Sequence, residues 1–310
     1  MPTIILHHYA TSNFSEKIRL VLGHKHLSWA SITIPQIAPK PDFEPLTGGF
    51  RRTPALQIGA DVYCDTAMIA LELERRYPEP TLFPGPWPER SRASALALAA
   101  WAEDKLLWPI ALYITGTHAD RYPDAFHRDR ARLHGKPTPR VEQVKRAAAR
   151  RLPEVERLLA RVEALIPTDT PYLEGGTPAL SDMTLYHPLW FLERIGGPSK
   201  LLSKLPRVRE WMARIAEIGE GRPREQAPAW ALEQASQGEC TPLSELGQWR
   251  FESGLDAGMR VTVKAITEAA EAEGTLVHLD DERVVIRHHN ERVGDVHVHF
   301  PREGYAVRPR

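Results

Sequence analysis

The sequence predicts an α/β plus all-α protein that ends in a small antiparallel β module. Three observations carry this expectation. Residues 1–80 alternate short β-branched runs with stretches of helical period, the mark of a mixed sheet with helices on its faces. Residues 89–225 are dominated by long segments with apolar side chains at three- and four-residue spacing, an all-helical unit. From Arg260 onward the period falls to two, which marks a β-rich extension within residues 239–310. At 310 residues the chain exceeds one typical domain, so several units are expected on length alone.

In the first unit, Thr3-Ile4-Ile5-Leu6 reads as a buried strand. Phe14, Ile18, Val21 and Leu22 then fall at helical spacing. Ser12 stands at or just before that helix, where unpaired N–H groups and the helix dipole stabilise an anion or a thiolate. An ordinary N-cap serine fits the same position. Trp29 to Ile34 reads as a second strand ended by Pro35, and the Pro- and Gly-rich loop 37–50 has room for one helical turn around Asp42 to Leu46. Ala55 to Ile58 and Val62 to Cys64 read as a hairpin turning at Gly59-Ala60-Asp61. Thr66 to Tyr77 reads as a helix stopped by Pro78.

Three pieces stand in order in this unit: Ser12-x-Phe14-Ser15-x-Lys17-x-Arg19, then Arg51-Arg52-Thr53-Pro54-Ala55-Leu56, then Asp65-Thr66-Ala67-Met68-Ile69. Together they resemble the thioredoxin-like domain of glutathione S-transferases, with bacterial serine-type members nearest, and the likeness covers about residues 1–225. The resemblance implies a thioredoxin-like domain (1–80), the family's all-helical domain (89–225), glutathione as co-substrate, a small apolar electrophile and a homodimer. It puts the catalytic hydroxyl at Ser12, with Tyr9 near the place where other branches carry a catalytic tyrosine. Phe14, Arg52, Thr53, Pro54, Asp65 and Thr66 fall at glutathione-binding positions. Pro54 matches a cis-proline that turns the Thr53 backbone towards the tripeptide's cysteinyl main chain. Asp65 matches the partner of the γ-glutamyl amine, and Thr66 with its helix N-terminus matches the holder of the γ-glutamyl carboxylate. Arg52 matches a basic position facing the glycyl carboxylate. A hydroxyl donor at Ser12 would favour the thiolate of a thiol whose free pKa is about 8.5. The implied function is attack of the glutathione thiolate on an electrophile: conjugation, or thiol-dependent peroxidase or isomerase chemistry. A non-catalytic ligand-binding, stress or regulatory protein on the same fold is the alternative. Serine at position 12, where thiol-reductase relatives carry cysteine, argues against glutaredoxin-type chemistry. Cys64, ending a strand, reads as a buried small hydrophobe.

Pro78 to Pro88 is a proline-rich linker. Glu89 to Thr115 reads as a long, largely buried helix kinked at Trp108-Pro109, residues 119–139 as a polar loop, and Arg140 to Ile166 as a second long helix. From His118 to Arg161 twelve basic residues face six acidic ones, a solvated helix face or a positive funnel for an anionic ligand. Pro178 to Asp182 resembles the family's capping box for a buried helix that carries Tyr186, His187, Trp190 and Phe191. Ala179, at the cap position, has no hydroxyl, a loss of about 0.5–2 kcal/mol unless Ser181 or Asp182 compensates. Val208 to Ile218 and Gln226 to Ala235 read as further helices.

The extension lies outside the resemblance. Residues 260–266, 275–279, 283–288, 295–300 and 305–307 read as its strands. His278, His288, His289, His297 and His299 fall here, and His297 and His299 share one strand face. Such a pair can chelate a metal, yet no further ligand spacing accompanies it, so a solvent-facing strand and no metal are expected. One apolar face on so small a sheet must be covered. The expected cover is the helical domain or a dimer partner, leaving a glutathione pocket that does not need the extension.

Composition narrows the rest. Lysine plus arginine balance aspartate plus glutamate at 40 each, against a general nucleic-acid binder. No apolar run reaches a membrane span and no secretion signal is visible. Two cysteines cannot form a disulfide framework, so a cytoplasmic location is expected.

Overall fold

The computed structural model describes residues 3–196 and 200–310. The first unit comprises β1 (Ile4–His8), α1 (Asn13–His24), β2 (Ser28–Thr33), α2 (Glu44–Thr47), β3 (Ala55–Ile58), β4 (Asp61–Cys64) and α3 (Thr66–Arg76). β2 runs parallel to β1, β3 lies antiparallel on its other side, and β4 is antiparallel to β3. The register sets His7 opposite Ala55, and Ala55 opposite Cys64. The loops after β1, before β3 and after β4 therefore leave the sheet at one edge. That register assembles the site.

The helical unit contains α4 (Pro88–Trp101), a π-helical turn at Ala102–Leu106, α5 (Leu107–Thr117), α6 (Asp124–Leu133), α7 (Val141–Leu165), α8 (Leu180–Gly196) and α9 (Pro206–Ala216). The expected kink takes the form of the π turn. Pro109 offers no N–H to the carbonyl four residues back, Lys105, and the ladder widens there. The stretch expected as loop holds α6, which buries Phe126, Ala131 and Leu133 beneath an arginine-rich exterior. Ala179 is the N-cap of α8 without a hydroxyl, and Asp182 compensates. Its carboxylate accepts from the Ala179 and Leu173 N–H groups at 3.0 Å each and from Trp211 Nε1 at 2.8 Å.

β5 (Arg222–Glu225), which the sequence reading did not anticipate, joins the sheet parallel to β2. Four polar or proline residues give no apolar period to read. The approach depends on Gly221, at φ 73°, where a Cβ would stand 2.6 Å from the Leu27 carbonyl oxygen. α10 (Pro228–Gln237) follows, then β6 (Arg260–Ala265), β7 (Glu271–Leu279), β8 (Arg283–Asn290), β9 (Gly294–Pro301) and β10 (Tyr305–Pro309).

The extension docks chiefly on the first unit, which corrects the expected cover. β9 pairs parallel with β4, so one ten-stranded sheet runs β10-β6-β7-β8-β9-β4-β3-β1-β2-β5. β4 would otherwise present an edge of unpaired N–H and C=O groups. The extension touches the helical unit as well, through the Ala269 N–H on the Leu133 carbonyl at 2.8 Å and an Arg92–Glu282 ion pair at 2.6 Å. Its sheet curls. A flat one would hold β10 four strand spacings, roughly 19 Å, from β9, whereas residues 302–304 bridge them over at most about 14 Å of chain. The curl packs Tyr305 against Phe300 and Phe50, ring centroids 5.5 and 5.9 Å apart. Ile5, Phe43, Phe50, Val62, Ile286 and Val298 share the core on this face, while Leu6, Ile18, Leu22, Leu106 and Trp211 fill the core with the helices. No described helix is long and apolar enough to cross a membrane.

Candidate functional site

Ser12 is the N-cap of α1, and its Oγ accepts from the Ser15 N–H at 3.2 Å. It is 3% exposed, and among the described residues no acceptor takes its proton. The two readings of this serine are thus compatible: the oxygen caps the helix and the O–H remains able to donate. Thr53–Pro54 is a cis peptide. The Thr53 Oγ1 accepts from Lys40 Nζ at 2.7 Å.

Lys40 is 2% exposed, lies over the rings of Tyr9 (5.9 Å) and Phe43 (5.4 Å), and pairs with no carboxylate among the described residues. Burial, with Arg130 and Arg51 nearby, pulls its ammonium down to about 7. The side chain of Arg51 is taken up by Asp129, at 2.5 and 2.6 Å. Tyr9 sits on this side, beneath Lys40, and its carbonyl accepts the Ser12 N–H at 3.1 Å.

Asp65 caps α3 from a conformation rare for a non-glycine residue, φ 79° and ψ 140°. Such backbone costs on the order of 1–3 kcal/mol and concentrates at functional sites. Its Oδ1 accepts from the Ala67 N–H at 3.0 Å, while its Oδ2 accepts from the Tyr305 hydroxyl at 2.9 Å. Arg52 lies between carboxylates: Nε is 3.3 Å from Glu268, Nη1 is 3.9 Å from Asp65, and Nη1 donates to the Tyr305 oxygen at 3.3 Å. Burial opposes the guanidinium charge, but the carboxylates of Glu268 and Asp65 favour it and hold its pKa above the ordinary value. Burial and Asp65 hold the Tyr305 phenol well above its ordinary range, so it stays a donor. Arg52 thus sits at the Asp65 end of the site.

Beside it, Thr66 Oγ1 accepts from Lys17 Nζ at 3.3 Å, and Lys17 pairs with Glu103 at 2.9 Å. Glu103 belongs to the π turn, so the irregularity caused by Pro109 delivers a carboxylate here. Phe14 packs against His187, centroids 5.3 Å apart; burial, then Lys17, keeps that imidazole neutral. Cys64 is 1% exposed, and burial followed by the Asp65 charge pushes its thiol up, as suits a packing residue. An open depression of about 510 Å³ lined by Trp87, Leu98, Leu165 and Glu174 contains none of these groups.

Residues 6–81 match the glutathione S-transferase N-terminal domain and residues 145–214 the C-terminal domain of that family. A GST-like protein from Pseudomonas syringae is 35% identical, with all of both chains covered and a TM-score of 0.76. The chain belongs to the glutathione S-transferase family. A glutathione S-transferase from Rhodospirillum rubrum (19% identity, 69% of this chain and 88% of that one, TM-score 0.52) shares the fold. So does a β-etherase from Sphingobium (20% identity, 69% and 95%, TM-score 0.52). No curated protein matches the sequence. The Pseudomonas match, spanning the whole chain, includes the C-terminal module.

Within this family member, sequence reasoning missed Lys40, Glu103, Glu268 and Tyr305. Lys40 carried a faint signal, a lone cation between Pro39 and Pro41. Glu103 comes from the helical unit and Glu268 and Tyr305 from the extension, and only the fold brings them to Arg52, Asp65 and Thr66.

Proposed function

We propose that the chain is a glutathione transferase in which Ser12 stabilises the glutathione thiolate for attack on a small apolar electrophile. The observation that carries this reading is the uncommitted Ser12 O–H at the N-terminus of α1, on the same sheet edge as cis Thr53–Pro54 and the N-terminus of α3. The thiol proton leaves to solvent, Ser12 keeps its own and donates a hydrogen bond to sulfur, and the sulfur lone pair forms the new S–C bond. The electrophile's leaving group, halide for an aryl halide, departs with the electron pair of the bond that breaks. Thr53 pairs with the cysteinyl main chain. The γ-glutamyl end, a zwitterion, meets charges of both signs. Its carboxylate is held by Thr66, the N–H groups opening α3, and Arg52; its ammonium is held by Asp65 with Glu268. Lys40, a buried cation that forms no ion pair among the described residues, takes the glycyl carboxylate expected for Arg52 from the sequence. Tyr305 is a positioning residue, orienting Asp65.

Two free cysteines agree with a cytoplasmic setting. A homodimer would have to form away from the β4 edge, which β9 covers. One observation favours the second reading, a regulated or ligand-binding protein: the extension already engages Arg52 and Asp65. Incubating the purified chain with glutathione and a general aryl halide tests the proposal. Turnover that disappears in Ser12→Ala supports it, while no turnover in a wild-type protein that binds glutathione supports the second reading.

A further inference from the structure

We propose a divalent transition-metal site, suited to zinc, at the seam of β4 and β9, formed by Asp61, His297 and His299. The parallel register sets Asp61 opposite His297 and Tyr63 opposite His299, so the donors share one side of the seam. Asp61 Oδ1 lies 2.8 Å from His299 Nε2 and 3.7 Å from His297 Nδ1, and the three atoms are all within 4.8 Å of one another.

Three features distinguish this cluster from a chance meeting. Asp61 is 2% exposed and, among the described residues, pairs with no lysine or arginine. A buried carboxylate is costly unless it is paired or ligates a metal. The strand expected to face solvent is buried, because β9 is covered on both sides by its neighbours β8 and β4. His297, 6% exposed, directs Nδ1 towards the same oxygen, yet that atom is buried without a hydrogen-bond partner. Outer contacts already orient two of the ligands, Asp61 and His299. The Thr241 N–H and hydroxyl donate to Asp61 Oδ2 at 2.8 and 2.7 Å, and the Tyr63 ring stacks on His299 at 4.4 Å. Support of this kind commonly surrounds metal ligands.

The spacing suits a small ion. Ligands about 2.1 Å from a tetrahedral centre stand roughly 3.4 Å apart. The Asp61–His297 contact is close to that, and the Asp61–His299 contact must open by about half an ångström as His299 moves its proton from Nε2 to Nδ1. Two imidazoles and one carboxylate select zinc and its neighbours over calcium or magnesium. A water completes the set. One ligand comes from the first unit and two from the extension, so the ion fastens β9 to β4.

The probes are Co²⁺ and Zn²⁺, added to untagged full-length protein stripped with a chelator. The site predicts a single tight equivalent of cobalt with the visible bands of a four- or five-coordinate ion, displaced by zinc, and a higher melting temperature with either metal. His297→Ala removes no hydrogen bond from the metal-free protein. It should remain folded, lose the cobalt bands and bind zinc at least about tenfold more weakly. His299→Gln, which can still reach Asp61, should behave alike. Absence of the bands in folded wild-type protein would overturn the site and leave Asp61 simply hydrogen-bonded to His299. Bands that persist in His297→Ala would overturn it equally.

Discussion

The Tyr305 hydroxyl donates to Asp65 Oδ2 at 2.9 Å, which ties the last strand of the extension to the cap of α3. A carboxylate has room for this bond, the Ala67 N–H and a ligand's ammonium together. Tyr305→Phe should therefore leave the fold intact and weaken glutathione binding by roughly two- to tenfold, the value of one lost hydrogen bond. Calorimetry on both proteins checks it. Tighter binding in the variant would mean that Tyr305 competes with the ligand for Asp65.

The same tie bears on truncation. A chain ending near Gly238 would expose the β4 edge, uncover Phe50 and remove Tyr305 and Glu268 from the site. It should aggregate, and its soluble fraction should bind glutathione at least about tenfold more weakly. A soluble, tightly binding fragment would restore the independent pocket expected from sequence.

Lys40 gives a pH dependence of known sign. Burial, Arg130 and Arg51 set its ammonium at about 7, so it is charged below and neutral above. Affinity for S-methylglutathione, which has no thiol to titrate, should fall between about pH 6 and about pH 8 as that charge is lost. Lys40→Met should flatten the profile and weaken binding roughly ten- to a hundredfold at the acid end, as for a lost charged hydrogen bond. An unchanged slope would assign the titration elsewhere.

The first unit was legible because each element keeps its own period and its motifs are local. Ser12, Thr53-Pro54 and Asp65-Thr66 each sit at an element terminus that sequence alone marks. The extension's strands were legible for the same reason; their destination was not. Nothing in the alternation of Val296, Val298 and Phe300 says that β9 will meet β4. The groups that depend on that meeting, Glu268 and Tyr305 at the site and Asp61 beside the histidines, were invisible with it. β5 and α6 were missed for a different reason, too few apolar residues to set a period.

Asp182 is the clearest stability test. Asp182→Ala leaves the Ala179 N–H and the Trp211 indole without an acceptor in the core, and the half-buried Leu173 N–H without its partner. The loss should be at least about 2 kcal/mol, given roughly 1–3 kcal/mol for each buried unsatisfied donor. Denaturant unfolding measures it; a loss under about 1 kcal/mol would mean that water or another side chain replaces the carboxylate.

The role of Ser12 is tested most directly by the ionisation of bound glutathione. Thiolate absorbance, followed against pH in the wild-type complex and in Ser12→Ala, reports the sulfur without any electrophile. A donated hydrogen bond and the α1 dipole should hold the bound thiol below the free value of about 8.5, and Ser12→Ala should return it most of the way. The same midpoint in both proteins would contradict thiolate stabilisation by Ser12.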